Sequence, residues 1–442
     1  MPISINSDFS SLLSRAVYHI ENPNYQTGTM LEEIPADVGR AYHGYKRGGI
    51  IEGAEKFRKE TMAAAVWLFG IPAFNKIGTL ICENLLHLPM DMDFSDAAKG
   101  NDAIGDTIRY LKGELKSNLD CSGIKKYAPM VLNKDTDEVI KNVKLAKNIT
   151  SNLAVVLNCI AMGVIIPKIN QALTRKKLKE LDDKKAQTEQ KSFDDFTKKT
   201  SKNNPSFKGG FGDFIGNITY LTENSNKFRL IITDVPMIIG RMITSRNKYE
   251  AFENMIIDAG SIYFYNFCAQ HLQKGLRNLA QVPAINPMVA QTFINTDKDL
   301  VKSAMDNIKD TPLSVEELFN KDIANNIYSL STFGKYGKIN RFVSNDAIKN
   351  IDSEVFKYLK TLRSKMGYEQ GKEFNFDLFV KEAKKYNAKN ALFLALGLAA
   401  AVWGLASFIP KLAFRITTLL TGRNEFTGIA KYDDKKKDVN NS

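Results

Sequence analysis

ALFLALGLAAAVWGLASFIP, residues 391–410, is a run of twenty residues without one charge. Wound as an α-helix at about 1.5 Å per residue, it covers roughly 30 Å, the thickness of a bilayer's hydrocarbon core. Small residues recur through it (Gly397, Ala399, Ala400, Ala401, Gly404 and Ala406). They permit close helix–helix approach where lipid supplies no hydrophobic drive, although a buried helix of a large soluble core has a similar composition. A second uncharged run, ITSNLAVVLNCIAMGVIIP at 149–167, is less apolar because it carries Asn152 and Asn158. The two runs predict one long membrane-spanning-type helix each. TMAAAVWLFGIPAFN (61–75) and AGSIYFYNFCAQHLQ (259–273) are shorter and end at Lys76 and Lys274. Fifteen helical residues cover only about 22 Å, so interfacial, re-entrant or core helices are expected there.

Compared with itself, the chain recurs. Pro35, Gly39 and Arg40 answer to Pro236, Gly240 and Arg241 in the same P-x-x-x-G-R spacing. Glu52 and Glu55 are then followed by Glu250 and Glu253, Phe69 by Phe267, Lys76 by Lys274, and Pro89-Met90 by Pro287-Met288. Ala146-Lys147-Asn148 leads through an apolar run to Ile166-Pro167-Lys168, as Ala388-Lys389-Asn390 leads to Ile409-Pro410-Lys411. Each match is weak alone; their colinear order predicts a duplication. The expected fold is mainly α, with two tandem pseudo-symmetric helical units, each holding a short apolar helix and a long membrane-spanning-type helix. Residues 1–175 form the first unit, 176–226 a charged helical extension and Gly-rich linker, 227–422 the second unit with a larger polar insert at 289–387, and 423–442 a basic polar tail. The linker carries Asn-Pro and Gly-Gly, which oppose regular structure.

At 442 residues, 44% hydrophobic and 25% charged, the chain has the composition of a folded protein. A net charge of +12 favours anionic partners. The excess is spread along the chain, and its dense stretches, 175–185 and Lys435-Lys436-Lys437, also hold acidic residues or lie beside them, so a solvated face is the reading and nucleic acid is not expected as a partner. Cys82, Cys121, Cys159 and Cys268 are too scattered for a zinc knuckle or a disulfide framework. The N-terminus lacks the basic and apolar regions of a cleaved signal peptide. Basic residues flank both long apolar runs at both ends, so they do not decide orientation. The linker and tail point to a cytoplasmic position for themselves.

Catalytic signatures are not found. His19, His43, His87 and His271 share no metal-protease spacing, and neither a G-x-S-x-G elbow nor a phosphate-binding P-loop occurs. Asp91, Asp93 and Asp96 resemble part of a calcium loop without its glycine and distal glutamate. Gly209-Gly210-Phe211-Gly212 and Lys46-Arg47-Gly48-Gly49 suit turns better than anion nests. No catalytic residue, metal site or cofactor is therefore assigned, and the chain is not expected to be an enzyme. The candidate polar clasp or pathway is Glu52, Glu55 and Lys76 with Glu250, Glu253 and Lys274, the glutamates three apart on one helix face. A helix folding back as a hairpin would let carboxylate and ammonium pair, and an unpaired charge in lipid costs several kcal/mol. Arg40 and Arg241 are candidates for a lipid phosphate or a helix end. These features imply an integral membrane protein of structural or interaction type, its partners being membrane lipid, anionic headgroups included, and a protein bound through the polar inserts. A small-solute or ion transporter and a soluble scaffold with buried apolar helices are the alternatives.

Overall fold

The computed structural model describes residues 9–22, 27–90, 103–115, 122–188, 226–308, 312–332 and 345–428. The acidic run at Asp91, Asp93 and Asp96, Cys121, the Gly209–Gly212 turn, the linker between 189 and 225 and the tail beyond 428 lie outside them. The described residues form thirteen helices and no strand. They are α1 (Phe9–Glu21), α2 (Thr27–Leu85), α3 (Ala103–Leu111), α4 (Ala128–Val131), α5 (136–188), α6 (Asn226–Thr244), α7 (248–279), α8 (Pro287–Asn295), α9 (Lys298–Asn307), α10 (Val315–Leu318), α11 (Lys321–Ser331), α12 (Asn345–Met366) and α13 (376–421).

Among the described residues, three helices are long and apolar enough to cross a membrane: Thr27–Leu85, Thr136–Leu181 and Phe376–Thr421. Two carry the long runs that the sequence singles out. The first differs from expectation, because the 61–75 stretch is no separate short helix but part of α2, which continues through Lys76 to Leu85. Lys76 and Glu83 end an uncharged count, yet both are good helix formers and do not end a helix. The 259–273 run likewise lies inside α7. The one break in α2 is at Gly48 and Gly49, where Gly49 takes φ 70°, a left-handed conformation that residues with a Cβ rarely adopt.

The apolar helices carry π turns at Ala161–Ile165 in α5, Phe264–Cys268 in α7 and Gly404–Phe408 in α13. The first and last directly precede Ile166-Pro167 and Ile409-Pro410. A proline inside a helix has no N–H to give, and its ring crowds the carbonyl four residues back; a widened turn relieves that crowding. For Pro167 that carbonyl belongs to Gly163, and the hydroxyl of Thr244 donates to it at 3.2 Å. The α7 turn precedes Ala269, so proline does not explain it.

The described residues cluster into two compact units. The first, from 1–35, 75–150 and 262–404, holds a large apolar core. Val355, Tyr358, Leu359 and Leu362 in α12, at helical spacing, bury one face of that helix. Phe293 stacks on Phe319 and Tyr358 with ring centroids 5.3 and 6.1 Å apart. The short helices of the polar insert are capped as their sequences ask: Asn286 before α8, Asp297 before α9, a Ser314/Glu317 capping box on α10, Asn320 before α11 and Asn375 before α13.

The second unit, from 36–74, 151–261 and 405–442, buries many charged and polar side chains beside apolar ones such as Leu68, Met162, Ile166 and Leu405. Its buried side chains include Arg40, Glu52, Glu55, Glu60, Asn158, Asn170, Thr174, Arg241, Glu250, Glu253, Asn254 and Asp258, while Val38, Phe69, Leu153, Val156, Ile239 and Leu420 are exposed. Its helices meet at small residues. A Cβ on Gly39 would come within 2.4 Å of the Ala406 Cβ, and one on Gly240 within 2.9 Å of the Gly163 Cα.

Candidate functional site

The buried charges of the second unit form one lattice. Arg47 stands directly before the break in α2 and turns its guanidinium onto two glutamates. Its Nε donates to both Glu52 oxygens at 3.1 Å, and Nη1 and Nη2 reach Glu253 at 2.7 and 3.0 Å. The Phe414 ring covers its open face, with Cζ 3.7 Å from the centroid. Lys56 adds a second cation to Glu253 at 2.9 Å. Arg246 lies in the three residues between α6 and α7 and does the same in reverse, holding Glu250 at 2.6 Å and Glu55 at 2.5 and 3.2 Å. Each arginine therefore grips one glutamate four or five residues ahead of itself and one from the other half of the sequence.

Next to this pair lies a third cluster. Arg40 reaches Glu60 at 3.2 Å and the Ser261 hydroxyl at 2.8 Å, and Arg241 reaches Asp258 at 2.6 Å and Glu60 at 3.8 Å. Lys59 donates to Asn254 at 2.8 Å. Asn170 of α5 donates to the Glu55 carbonyl at 3.0 Å, while Arg58 bonds to Asn170 and Thr174. Six carboxylates (Glu52, Glu55, Glu60, Glu250, Glu253, Asp258) face six cations (Arg40, Arg47, Lys56, Lys59, Arg241, Arg246), with Arg58 a seventh cation beside them on Asn170 and Thr174. Fixed opposite charges with carboxylate oxygens accepting from guanidinium forks make a clasp. Arg47 also lines a cleft of about 580 Å³ together with His43, Lys46, Lys411, Phe414 and Arg415.

Of the residues that the sequence nominates, Glu52, Glu55, Glu250 and Glu253 come together here, with Arg40 and Arg241 beside them holding carboxylates rather than a lipid phosphate. Lys76 and Lys274 do not join them; both are exposed and belong to the first unit. The hairpin that would have delivered them does not form, because α2 runs straight on through Lys76. Their role falls to Arg47, Arg246 and Lys56. A signal for the arginines was present, since Arg47 and Arg246 recur at nearly the same separation as the glutamates. The Gly-Gly after Arg47 drew the reading toward a turn instead.

Burial pushes the Glu253 carboxyl upward, but Lys56 and Arg47 outweigh it and hold it at about 2. Its ordinary value is 4.5, so the stability it contributes is fully present above that pH and is lost as pH falls toward 2. Thermal unfolding midpoints of wild type and Glu253→Gln in detergent are thus expected to differ widely near pH ~7 and to approach each other near pH ~3. A gap that stays constant over this range would mean that Glu253 does not carry its charge in the folded protein.

The chain matches no protein-family model, no curated protein and no solved structure.

Proposed function

We propose that the chain is an integral membrane protein of structural type, built by duplication, whose halves are locked by the charge lattice and whose helical polar inserts present a binding surface to a protein partner. The observation that carries this reading is that the second unit buries a set of paired charges while large apolar side chains stand exposed on its surface. Water favours the reverse, whereas lipid turns ionisable groups inward and pairs them. The three long apolar helices support the same reading.

Several features support duplication. Arg47 and Arg246 pair in exchanged fashion with Glu253 and Glu55. The break at Gly48-Gly49 falls where the second half has the break between α6 and α7. Gly39 against Ala406 is answered by Gly240 against Gly163, and both long apolar helices have a π turn before Ile-Pro. A lattice in which every carboxylate already holds a cation suits a clasp better than a pathway, which needs a group free to bind and release. The cleft reached by Arg47 is what favours the second reading, a transporter of small anions. With the linker and basic tail cytoplasmic, their own small positive excess lies on the inner side.

The test is fractionation of membranes from cells expressing the chain. Retention through high salt and carbonate, with release only by detergent, is the expected result. Release by carbonate would refute insertion and return the chain to a soluble helical scaffold.

A further inference from the structure

A cleft of about 860 Å³ in the first unit lies between the C-terminal part of α7 and the exposed face of α12. The α7 wall is a helical stripe of amides and cations, Gln270, Gln273, Lys274 and Arg277 among them, with Gln281 just past the helix end. From α12 come Lys357, Lys360, Thr361, Ser364 and Lys365, again at helical spacing. No carboxylate lines the cleft, although the whole chain holds 49 acidic residues against 61 basic ones. Glu21 stands beside the cleft, accepting from Gln273 at 2.9 Å and lying 3.5 Å from Arg277. A merely solvated lysine face would be convex and interleaved with acids. This one is concave, five-fold cationic and furnished with amides and hydroxyls.

The position of the cleft in the chain points to the source of its ligand. Gln281, at the end of the α7 wall, holds φ 52° because it closes the helix, with the Val282 N–H donating to the Arg277 carbonyl at 2.9 Å and the Gln281 N–H to the Asn278 carbonyl at 3.3 Å. Arg277 donates to Asn390 at 2.9 Å, and Asn390 immediately precedes the uncharged run 391–410. Lys274 likewise closes the uncharged run 259–273. The cleft thus lies where two apolar runs end, the level at which a bilayer's headgroups stand.

We propose that this cleft binds a membrane-lipid headgroup that carries several phosphates on a hydroxylated ring, the lysines and Arg277 taking the phosphates and the amides the hydroxyls. Its volume is that of a small-ligand site. The lipid source rests on the membrane reading above; the anion chemistry does not.

The experiment uses the full chain in detergent, titrated with fluorescent inositol trisphosphate and with micelles doped either with phosphatidylinositol bisphosphate or with phosphatidylserine. Soluble headgroup and bisphosphate lipid are expected to bind, and phosphatidylserine to bind more weakly. Each lost charge-assisted contact weakens binding roughly tenfold, so Lys357→Glu with Lys360→Glu should reduce it by at least that factor. Lys298→Glu with Lys302→Glu makes the same charge change at exposed positions of the same unit outside the cleft, and should leave binding within about twofold. Lys274→Ala, a milder change, covers the case in which the double variant fails to elute as a single species, and should weaken binding by itself. Equal losses in both double variants, or no binding at all, would overturn the site. Binding of the soluble headgroup without the doped lipid would overturn the lipid assignment while leaving the carbonate result untouched. Displacement of the headgroup by a single-stranded oligonucleotide at lower concentration would point to nucleic acid instead.

Discussion

Replacing Glu253 with leucine is expected to destabilise the protein by about 3–5 kcal/mol, measured as the loss of unfolding free energy in detergent. The carboxylate accepts from Arg47 at 2.7 and 3.0 Å and from Lys56 at 2.9 Å. Removing it leaves two cations buried with Glu52 as their remaining common partner. The size of the loss reflects stranded charge rather than the intrinsic worth of an ion pair, and that distinction is measurable. In the Glu253→Leu background, Arg47→Met should cost far less than it does in wild type, because the second change removes a charge already stranded. The mirrored pair, Glu55 with Arg246, should behave alike. Additive losses within about 0.5 kcal/mol would show that the two residues do not depend on each other and that the clasp is not the binding element.

The second large effect concerns the crossings of small residues. Gly39→Leu and Gly240→Leu are each expected to cost about 3 kcal/mol, since even the first carbon of the new side chain would stand 2.4 Å from the Ala406 Cβ or 2.9 Å from the Gly163 Cα. Nothing flexible lies at either point to move aside, so the helices themselves must separate. Gly275→Ala is the contrasting case. It lies inside α7 with nothing within 4 Å of a new Cβ, and the gain in helix propensity should stabilise the protein by about 0.5–1 kcal/mol. Thermal unfolding followed by circular dichroism reads all three. Tolerance of leucine at Gly240 would mean that α5 and α6 are not packed backbone to backbone.

Legibility in the sequence differed by element, for physical reasons. The run 391–410 announces its helix because uncharged length is a local property. The third long helix was hidden because Lys76 and Glu83 interrupt the count of uncharged residues without interrupting the hydrogen bonding, and only the backbone records the difference. The matching spacing of Glu52 and Glu55 with Glu250 and Glu253 is visible in the letters alone. It could not name their cations, because a charge pair is made across space, and Lys76 and Lys274 were nominated by where they end an apolar run rather than by where they reach. Glu60 and Asp258 escaped for a related reason: they stand at the same separation as the recurring glutamates, but one is Glu and the other Asp, so they do not match as letters although they serve Arg40 and Arg241 in the same way. The cleft between α7 and α12 was not foreseeable either, because its two lysine-bearing stripes are each ordinary as helix surfaces and become a site only by facing one another.

The exchange of partners between the two halves also sets a clock on the protein's synthesis. Glu55 leaves the ribosome 191 residues before the arginine that will neutralise it, and Arg47 waits still longer, 206 residues, for Glu253. At about 5–20 residues per second, that interval is roughly 10–40 s. Throughout it, the first half carries carboxylates whose final partners have not yet been translated, beside apolar stretches ready for lipid. The early helices must therefore keep those groups in water, or lend them to a temporary host, until the second half is made and the clasp can close.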